Sequence, residues 1–406
     1  MPTFEFILGG VTAAPGFKAA GIHCGIRRNK EKKDLALIVA DQECAAAAVY
    51  TTNTVKAAPL YLTMENLKNG RARAILANSG NANACAPGGR EAARECVAAT
   101  AAALGLSPTD IIVNSTGVIG QPLPTKTIVS AIPELVAALS LDTQDVAEAI
   151  MTTDTFSKTA AVRFTIGGVP ITIGGIAKGS GMIHPNMATM LAFLTTDCAI
   201  SPALLQEALR DSANRTYNRI SVDGDTSTND MTAILASGTA GNPEITKKGA
   251  DYDIFLAALN ALNLHLAKKI AQDGEGATKL ITCTVKGTTC EETAATIAKS
   301  VISSSLVKSA MFGTDANWGR VLCAMGYSGA SFDATKVDVA FSSNEGRVQV
   351  CKESIGLDFN EEKAKAVLGP GEVTIEIDLS DGTASAEAYG CDLTYDYVKI
   401  NGDYRT

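Results

Sequence analysis

The chain has 406 residues, which exceeds the length of one average domain and predicts two lobes. Apolar residues make up 46% of the chain but aromatic residues only 5%, so the core is expected to consist mainly of alanine, valine, isoleucine and leucine. The net charge of −8 argues against nucleic acid or an anionic membrane as a partner.

The N-terminal segment MPTFEFILGGVTAAPGF has no basic region and no long apolar core, so no signal peptide is predicted. No apolar run is expected to be long enough to span a bilayer. The ten cysteines form no CxxC pair and the three histidines lie far apart, which disfavours a metal site of the usual spacing. Scattered cysteines are typical of buried small residues in a reducing compartment, and a cytoplasmic protein is expected. A Cys/His nucleophile pair stays open as an alternative.

Three short apolar runs predict buried strands in the N-terminal part of the chain: residues 35–40, 46–51 and 74–78. The last of them leads into a polar loop, residues 78–83, that either lines a pocket or forms a structural turn. An alanine-rich helix is predicted over residues 91–104. Gly105 is expected to close it, because glycine readily adopts the left-handed conformation after a helix.

A further strand, residues 111–114, leads directly into Ser115, Thr116 and Gly117. A glycine just after a strand lets backbone N–H groups converge on a negative oxygen, which is what an oxyanion hole requires. A simple turn is the alternative interpretation of this tripeptide. The residues alone leave both interpretations open.

A helical stretch over residues 126–139 is expected to be interrupted or restarted at Pro133. Residues 152–158 carry hydroxyl groups at a density that suits either a polar substrate or a solvated loop. A hairpin over residues 163–177 then ends at Lys178. Its cation would suit the α-carboxylate of a ligand, and an exposed loop lysine is the alternative.

Residues 178–197 combine a Gly/Ser turn, a Pro-Asn bend and a threonine that opens an apolar run. The run predicts a buried strand over residues 188–196, ended by Asp197. A threonine hydroxyl becomes a competent nucleophile when the threonine is an N-terminus, because its own α-amine then acts as the base. That chemistry requires a chain break between Ala188 and Thr189. The alternative is that Thr189 is an ordinary strand residue.

The second half of the chain alternates helices and strands. Helices are predicted over residues 201–217, 253–272 and 290–301, and strands over residues 219–222, 279–285, 337–341, 347–351, 373–379 and 384–388. Several strands form antiparallel-looking hairpins, so a plain doubly wound parallel sheet is a poor fit. We predict a mixed α/β (α+β) protein.

Two polar segments of the second half invite a functional interpretation. Residues 223–230 look like a calcium loop, but no glutamate stands at the twelfth position and no helix pair flanks them. We interpret them as a tight polar turn and keep a non-catalytic calcium-binding protein as an alternative function. Glu275 lies between two glycines, where it either brings a carboxylate to a ligand amine or forms a turn in solvent.

Seven short stretches, which together span most of the chain, match one family and keep its order. In chain order they are NSTGVIG, MTTDTFSK, KGSGMIHPNMATMLAF, SVDGDTSTND, QDGEGATK, GTDANWGR and INGDYRT. With them the chain resembles the ornithine acetyltransferases, also called glutamate N-acetyltransferases, of arginine biosynthesis. The resemblance implies a layered αββα-type sandwich with an N-terminal nucleophile, plus a second α/β lobe.

The resemblance also implies roles for individual residues. Self-cleavage would separate Ala188 from Thr189, and Thr189 would then carry the acyl group. The Thr116 hydroxyl and the Gly117 main-chain N–H would stabilise the oxyanion. The implied substrate contacts are Thr155 (with Thr152 and Thr153 as alternatives), Lys178, Thr189, Glu275, Asn401 and Thr406. The C-terminal tail is therefore expected to be ordered over the site.

Cleavage would leave an α chain, residues 1–188, and a β chain, residues 189–406, that stay intertwined and associate as an α2β2 heterotetramer. The implied reaction passes acetyl from N-acetylornithine to L-glutamate by a ping-pong route, without cofactor or metal. Some family members also accept acetyl from acetyl-coenzyme A, and the sequence leaves this open. The rival enzyme is an N-terminal-nucleophile amidase or aminopeptidase, in which water accepts the acyl group.

Overall fold

The structure is a computed structural model that describes residues 3–184 and 190–402. Within these ranges it contains sixteen strands and eleven helices. The strands are β1 Phe4–Ile7, β2 Phe17–Ile22, β3 Leu35–Tyr50, β4 Arg71–Asn78, β5 Ile111–Ser115, β6 Lys158–Ile166, β7 Val169–Lys178, β8 Leu191–Thr196, β9 Ile220–Ser221, β10 Met231–Ala236, β11 Leu280–Thr288, β12 Asp338–Ser343, β13 Gly346–Lys352, β14 Ile355–Gly356, β15 Glu372–Asp378 and β16 Ala384–Cys391. The helices are α1 Ala58–Asn66, α2 Gly89–Leu104, α3 Thr125–Ala137, α4 Gln144–Ala149, α5 Pro202–Arg215, α6 Ala250–Gln272, α7 Glu291–Ser303, α8 Ser305–Phe312, α9 Trp318–Gly326, α10 Glu361–Leu368 and α11 Tyr395–Gly402.

The first lobe is built on one mixed sheet with the strand order β1-β6-β7-β8-β10-β3-β4-β5, and β2 pairs with β3. The long strand β3 belongs to two halves of this sheet. Its first half pairs with β2 and β4, and its second half pairs with β10. The register between β3 and β4 shifts between Val39 and Cys44, where the strand passes from one half to the other.

The two halves of the first sheet face each other across a shared apolar layer. That layer contains Ile38 of β3, Ile75 of β4, Phe193 of β8 and Leu235 of β10. The outer face of the first half packs against α2 and α3, and the outer face of the second half packs against α5 and α6. The layers therefore follow the order helix, sheet, sheet, helix. The predicted αββα-type sandwich is confirmed.

The second lobe contains a seven-stranded sheet in the order β14-β13-β12-β15-β11-β16-β9. Alternate residues of β11, such as Ile281 and Val285, pack against Ile297 and Val301 of α7. Helix α6 lies between the two sheets, because the same cluster joins its Leu266 to strands of both lobes. The predicted second α/β lobe is confirmed.

Helix α3 corrects one sequence prediction. It runs without a break from Thr125 to Ala137, although Pro133 lies in its interior. A proline inside a helix removes one hydrogen bond and costs about 3 kcal/mol. Ile128 and Leu135 are buried in the core on either side of it. This packing holds the helix together, and local propensity alone did not predict it.

Helix α6 corrects a second prediction. In the described residues it is the one helix that is long and apolar enough to cross a membrane by length and composition. Half of its most apolar window is buried in the structure, and Phe255 and Leu259 belong to the core of the first lobe. The prediction that no run reaches this length is therefore wrong. The apolar character of α6 is accounted for by its packing between the two sheets.

Candidate active site

Predicted site residues from distant parts of the chain meet in one cavity of about 330 Å³. The cavity is lined by Thr116, Gly117, Lys178, Glu275 and Asn401. Met190 and Leu191, at the start of β8, also line it. Three predicted residues, Ala188, Thr189 and Thr406, lie outside the described residues. Met190, which lines the cavity, is the residue that follows Thr189 in sequence.

The end of β5 brings Thr116 and Gly117 to the cavity. The Thr116 N–H donates to the Asn78 carbonyl oxygen at 2.9 Å, which fixes this turn to the end of β4. Gly117 has a φ of +133°, and a Cβ atom there would lie 2.4 Å from the carbonyl carbon of Gly80. The position therefore requires glycine. Among the described residues the Gly117 N–H has no acceptor, which is the arrangement that an oxyanion donor needs.

Asparagine side chains hold the loops around this turn together. Asn229 donates from Nδ2 to the carbonyl oxygens of Ala82, at 2.6 Å, and Ser115, at 2.7 Å. Asn114 donates to the carbonyl oxygen of Asn229 at 2.9 Å. The polar loop at residues 78–83 thus has a structural role, because its backbone is tied to the two neighbouring segments that line the cavity.

Lys178 ends β7 and its side chain is buried, with 7% exposure. Within the described residues its ammonium makes no hydrogen bond and no ion pair. Burial lowers the pKa of Lys178, and the carboxylates of Asp154 and Asp230 oppose that shift without cancelling it. A buried cation that faces a cavity is a suitable partner for a ligand carboxylate.

A buried ion cluster lies next to Lys178 and is hydrogen-bonded to the neighbouring Gly179. The Lys158 ammonium lies 2.7 Å from Asp154 Oδ1 and 2.6 Å from Asp273 Oδ2, and all three side chains are almost completely buried. Burial alone would raise the pKa of Asp154, but Lys178 and Lys158 outweigh it and hold the pKa below the usual carboxyl range. We call Asp154, Lys158 and Asp273 the buried ion triad.

The buried ion triad is hydrogen-bonded to backbone on two sides of the cavity. Asp154 accepts the N–H groups of Thr152, at 2.9 Å, and Gly179, at 2.7 Å. The carbonyl oxygen of Asp273 accepts the Ser180 hydroxyl at 2.7 Å. These bonds fix the residues that flank Lys178 and the segment that leads to Glu275.

Glu275 follows α6 and is also buried, with 7% exposure. Its N–H donates to the Ser180 carbonyl oxygen at 3.1 Å, and its Oε2 accepts Nδ2 of Asn401 at 2.7 Å. A Cβ at Gly181 would lie 2.3 Å from the carboxyl carbon of Glu275, so glycine is needed for this close approach. Helix α11 thus places Asn401 of the C-terminal tail on a predicted substrate residue.

Thr155, a predicted substrate contact, does not line this cavity. Its N–H donates to Asp273 Oδ2 at 3.0 Å, and its hydroxyl also donates to Asp273. Thr155 lines a larger and more open neighbouring cavity of about 1280 Å³, whereas Thr152 and Thr153 line the smaller one. We assign the candidate site to the smaller cavity because, among the described residues, the predicted oxyanion residues Thr116 and Gly117 line it together with Lys178 and Glu275.

The two ends of the polar segment at residues 223–230 have different environments. The Asp223 carboxylate accepts the N–H groups of Met182, at 2.6 Å, and Ile183, at 2.8 Å. Asp230, at the other end, lines the cavity. Among the described residues no three His, Cys, Asp or Glu side chains are grouped to hold a metal ion. The segment therefore has a structural role, because Asp223 fixes the backbone of two residues that line the cavity.

Sequence reasoning missed four charged residues that the structure places in or behind the cavity: Asp154, Lys158, Asp230 and Asp273. Each lies inside a stretch that matches a family motif, and in each stretch a solvated loop or a turn is one interpretation that the residues alone allow. A charged residue is rarely buried without a partner. The available signal was that opposite charges recur in stretches that also carry predicted site residues.

The comparison with known proteins identifies the family of the chain. The profile of the ArgJ family matches residues 18–406. The chain belongs to the ArgJ family. A relative named arginine biosynthesis bifunctional protein ArgJ, from Symbiobacterium thermophilum, is 54% identical over 406 residues, covering 99% of this chain and 100% of that protein. The predicted membership of an acetyltransferase family of arginine biosynthesis is confirmed.

Solved structures of related proteins also match. The crystal structure of the ArgJ protein of Bacillus halodurans is 46% identical, with a TM-score of 0.51, and the match covers 53% of this ArgJ chain and 100% of that chain. A structure of ornithine acetyltransferase complexed with ornithine, from Mycobacterium tuberculosis, is 37% identical with a TM-score of 0.43, covering 46% of this chain and 100% of that one.

Proposed function

We propose that the cavity transfers an acetyl group from N-acetylornithine to L-glutamate through an acetyl ester on Thr189. The observation that carries the proposal is the convergence of an oxyanion turn, a buried cation and a buried carboxylate beside the start of β8. A cation and a carboxylate in one cavity match the two charged ends of an amino acid. Both substrates carry an α-carboxylate and a nitrogen on the α-carbon, so one cavity suits both.

The proposal includes maturation by self-cleavage. Thr189 Oγ attacks the Ala188 carbonyl carbon, the peptide bond becomes an ester, and water hydrolyses the ester to leave two chains. The α chain is then residues 1–188 and the β chain residues 189–406. The whole solved chain from Bacillus halodurans is matched by 53% of this chain, close to the share that follows Ala188, which supports two separate chains.

The acetyl transfer follows in two half-reactions. The α-amine of Thr189 takes the hydroxyl proton while Oγ attacks the acetyl carbon of N-acetylornithine, and Thr116 and Gly117 hold the oxyanion. The C–N bond breaks, the nitrogen receives the proton, and ornithine leaves an acetyl ester on Thr189. Glutamate then attacks the ester carbon through its α-amine, and the bond between that carbon and Thr189 Oγ breaks. The nitrogen loses a proton, which the α-amine of Thr189 passes to Oγ, and N-acetylglutamate departs. Lys178 would bind the α-carboxylate of each substrate, and Glu275 with Asn401 would bind the amino end.

The second donor that the relatives' bifunctional name implies is proposed to be acetyl-coenzyme A. Its thioester would acetylate the same Thr189 hydroxyl, so the second half-reaction would be unchanged. In this scheme the enzyme is a glutamate N-acetyltransferase with a second activity as an amino-acid N-acetyltransferase. The mature assembly is proposed to be an α2β2 heterotetramer.

Replacing Thr116 by valine is expected to slow acetylation of the enzyme by about 100- to 1000-fold, because one oxyanion donor is lost. Binding of N-acetylornithine should change little, because the hydroxyl acts on the charge that develops in the transition state. Single-turnover acetylation at saturating donor measures this effect. Thr116→Ser is the matched control, since it keeps the hydroxyl. If Thr116→Val is acetylated within about threefold of the native rate, Thr116 is not a donor of the oxyanion hole.

The proposed function is tested by intact mass under denaturing conditions, before and after incubation with substrates. We expect two chains, the second beginning at Thr189, and one added acetyl group on that chain with N-acetylornithine alone. Adding glutamate should remove the acetyl group and yield N-acetylglutamate. Acetyl-coenzyme A alone should give the same adduct.

Two other results would replace the proposal. One uncleaved chain without an acetyl adduct would favour a binding protein. The acetyl adduct could instead be hydrolysed to free acetate at the same rate with and without glutamate. That result would favour an N-terminal-nucleophile amidase. Each result excludes glutamate as the acceptor in a different way.

A further inference from the structure

Asp230 is a buried carboxyl group in the wall of the cavity. It immediately precedes β10, lines the cavity and is 3% exposed. Among the described residues its Oδ2 atom has no hydrogen-bond partner. A buried carboxyl oxygen without a partner is costly, so such an atom at a ligand cavity indicates that the ligand supplies the partner.

The position of Asp230 is set by strand pairing. Strands β8 and β10 are parallel, and Met231 is in register with Leu191. The Met231 N–H donates to the Met190 carbonyl oxygen at 3.0 Å. Asp230 therefore precedes the first residue of β10, at the edge of the sheet where the parallel strand β8 also begins. Met190, immediately before β8, follows the proposed nucleophile in sequence. Thr51 holds its backbone, through an N–H bond of 3.0 Å to the Asp230 carbonyl oxygen.

We propose that Asp230 is a further catalytic residue, which accepts a proton from the α-ammonium group of glutamate and returns one to the α-amine of departing ornithine. This inference rests on the proposed function and concerns the proton that the Thr189 amine does not handle. Ornithine and glutamate carry ammonium groups in solution, whereas only a free amine can attack an ester.

The proton balance closes over one turnover. In the first half-reaction the leaving nitrogen gains one proton from the Thr189 ammonium and becomes an amine. It takes a second proton from the Asp230 carboxyl group and leaves as an ammonium, so that Asp230 becomes a carboxylate. Glutamate then enters as an ammonium, gives one proton back to Asp230, and attacks the ester as an amine.

The surroundings suit a group that alternates between two charge states. Burial raises the pKa of Asp230 well above the usual carboxyl value, and hydrogen bonds from Ser227 and the charge of Lys178 oppose this without cancelling it. A carboxyl group with a raised pKa binds and releases a proton closer to neutral pH than an exposed one. Among the described residues, Lys178 and Glu275 are the other ionisable residues that line this cavity. Glu275 differs from Asp230 because Asn401 already occupies one of its oxygens.

The test separates the two half-reactions in the full-length, self-cleaved enzyme. The enzyme is first acetylated with the ester analogue of N-acetylornithine, in which oxygen replaces the α-nitrogen, so that the leaving group needs no second proton. The acetyl group is then transferred either to glutamate, which arrives protonated, or to hydroxylamine, which arrives as the free amine. The rates of both transfers are compared for native enzyme and Asp230→Asn.

Asp230→Asn is expected to slow transfer to glutamate by about 100-fold, in the range of general acid–base catalysis. Transfer to hydroxylamine and acetylation by the ester analogue should stay within about threefold of the native rates. Raising the pH should restore transfer to glutamate in part, because more glutamate is then the free amine. In Asp230→Ala, added formate should restore it by supplying a carboxylate in the space that is left.

The matched control is Asp197→Asn. Asp197 is a buried carboxylate at the end of β8, 4% exposed, and its Oδ1 accepts the Thr172 N–H at 2.8 Å away from the cavity. Its replacement should affect both acceptors equally. An equal loss for both acceptors in Asp230→Asn, or a native rate with glutamate, overturns the role of Asp230. Failure of the native enzyme to form an acetyl adduct overturns the proposed function instead.

Discussion

Thr189→Ala is expected to leave the chain in one piece and to abolish acetyl transfer. Self-cleavage and acetyl-enzyme formation both need the same hydroxyl oxygen, and alanine supplies none. The loss of activity should reach at least about 10⁴-fold, as for removal of a covalent nucleophile in other acyl-transfer enzymes. A denaturing gel reports the cleavage, and labelled acetyl transfer from N-acetylornithine reports the activity.

Two variants make this experiment specific. Thr189→Ser keeps a hydroxyl group next to the α-amine and should still cleave and turn over, at a reduced rate. Thr195→Ala lies in β8, where the native hydroxyl donates to the Val11 carbonyl oxygen at 2.7 Å, so it removes a buried threonine that has only a structural bond. That protein should be cleaved normally. A cleaved and active Thr189→Ala protein would show that another residue is the nucleophile.

Local sequence signals predicted the elements that carry the site. The hairpin of β6 and β7 forms around its glycine pair, and α2 ends at Gly105 in the left-handed conformation, as expected. The strand that delivers Thr116 and Gly117 was predicted because it is short, apolar and followed by glycine. These features depend on residues that are close in sequence, so their physical causes are visible in the sequence itself.

Long-range packing explains what was not predicted. Strand β3 continues through a polar stretch between two predicted strands, because its neighbours on both halves of the sheet pair with it. The buried ion triad joins residues more than a hundred positions apart, such as Lys158 and Asp273. Nothing near Asp230 in sequence shows that it is buried. The meeting of the predicted site residues was implied by the family resemblance and not by their spacing.

Lys158→Met is expected to destabilise the fold by about 3–5 kcal/mol, the usual cost of removing one partner from a buried ion cluster. The change leaves the Asp154 and Asp273 carboxylates buried without their shared cation. Chemical denaturation followed by circular dichroism measures the loss. Lys248→Met is the matched control, because Lys248 pairs with Glu207 on the surface, and its removal should cost far less stability than the removal of Lys158.

The pH dependence distinguishes lost charge pairing from lost packing. In the native protein the pKa of Asp154 is held below its ordinary value, so its contribution is present above the unfolded pKa and is lost only as the pH falls through the lower, folded value. In Lys158→Met the stranded carboxylates gain stability when they are protonated. The stability deficit of Lys158→Met should therefore shrink as the pH is lowered from neutral towards about 4. A deficit that does not change with pH would indicate packing alone.

The same variant should also raise the KM for N-acetylornithine more than it lowers kcat. Asp154 accepts the N–H of Gly179, which follows Lys178, and the N–H of Thr152. Asp273 accepts the Ser180 hydroxyl through its carbonyl oxygen, and the Ser180 carbonyl oxygen accepts the Glu275 N–H. Loosening this support should displace Lys178 and Glu275, the groups proposed to bind the two ends of the substrate. The proposed oxyanion turn is held separately by asparagine side chains. If kcat alone falls while KM stays constant, the buried ion triad supports the chemistry at Thr189 rather than the substrate contacts.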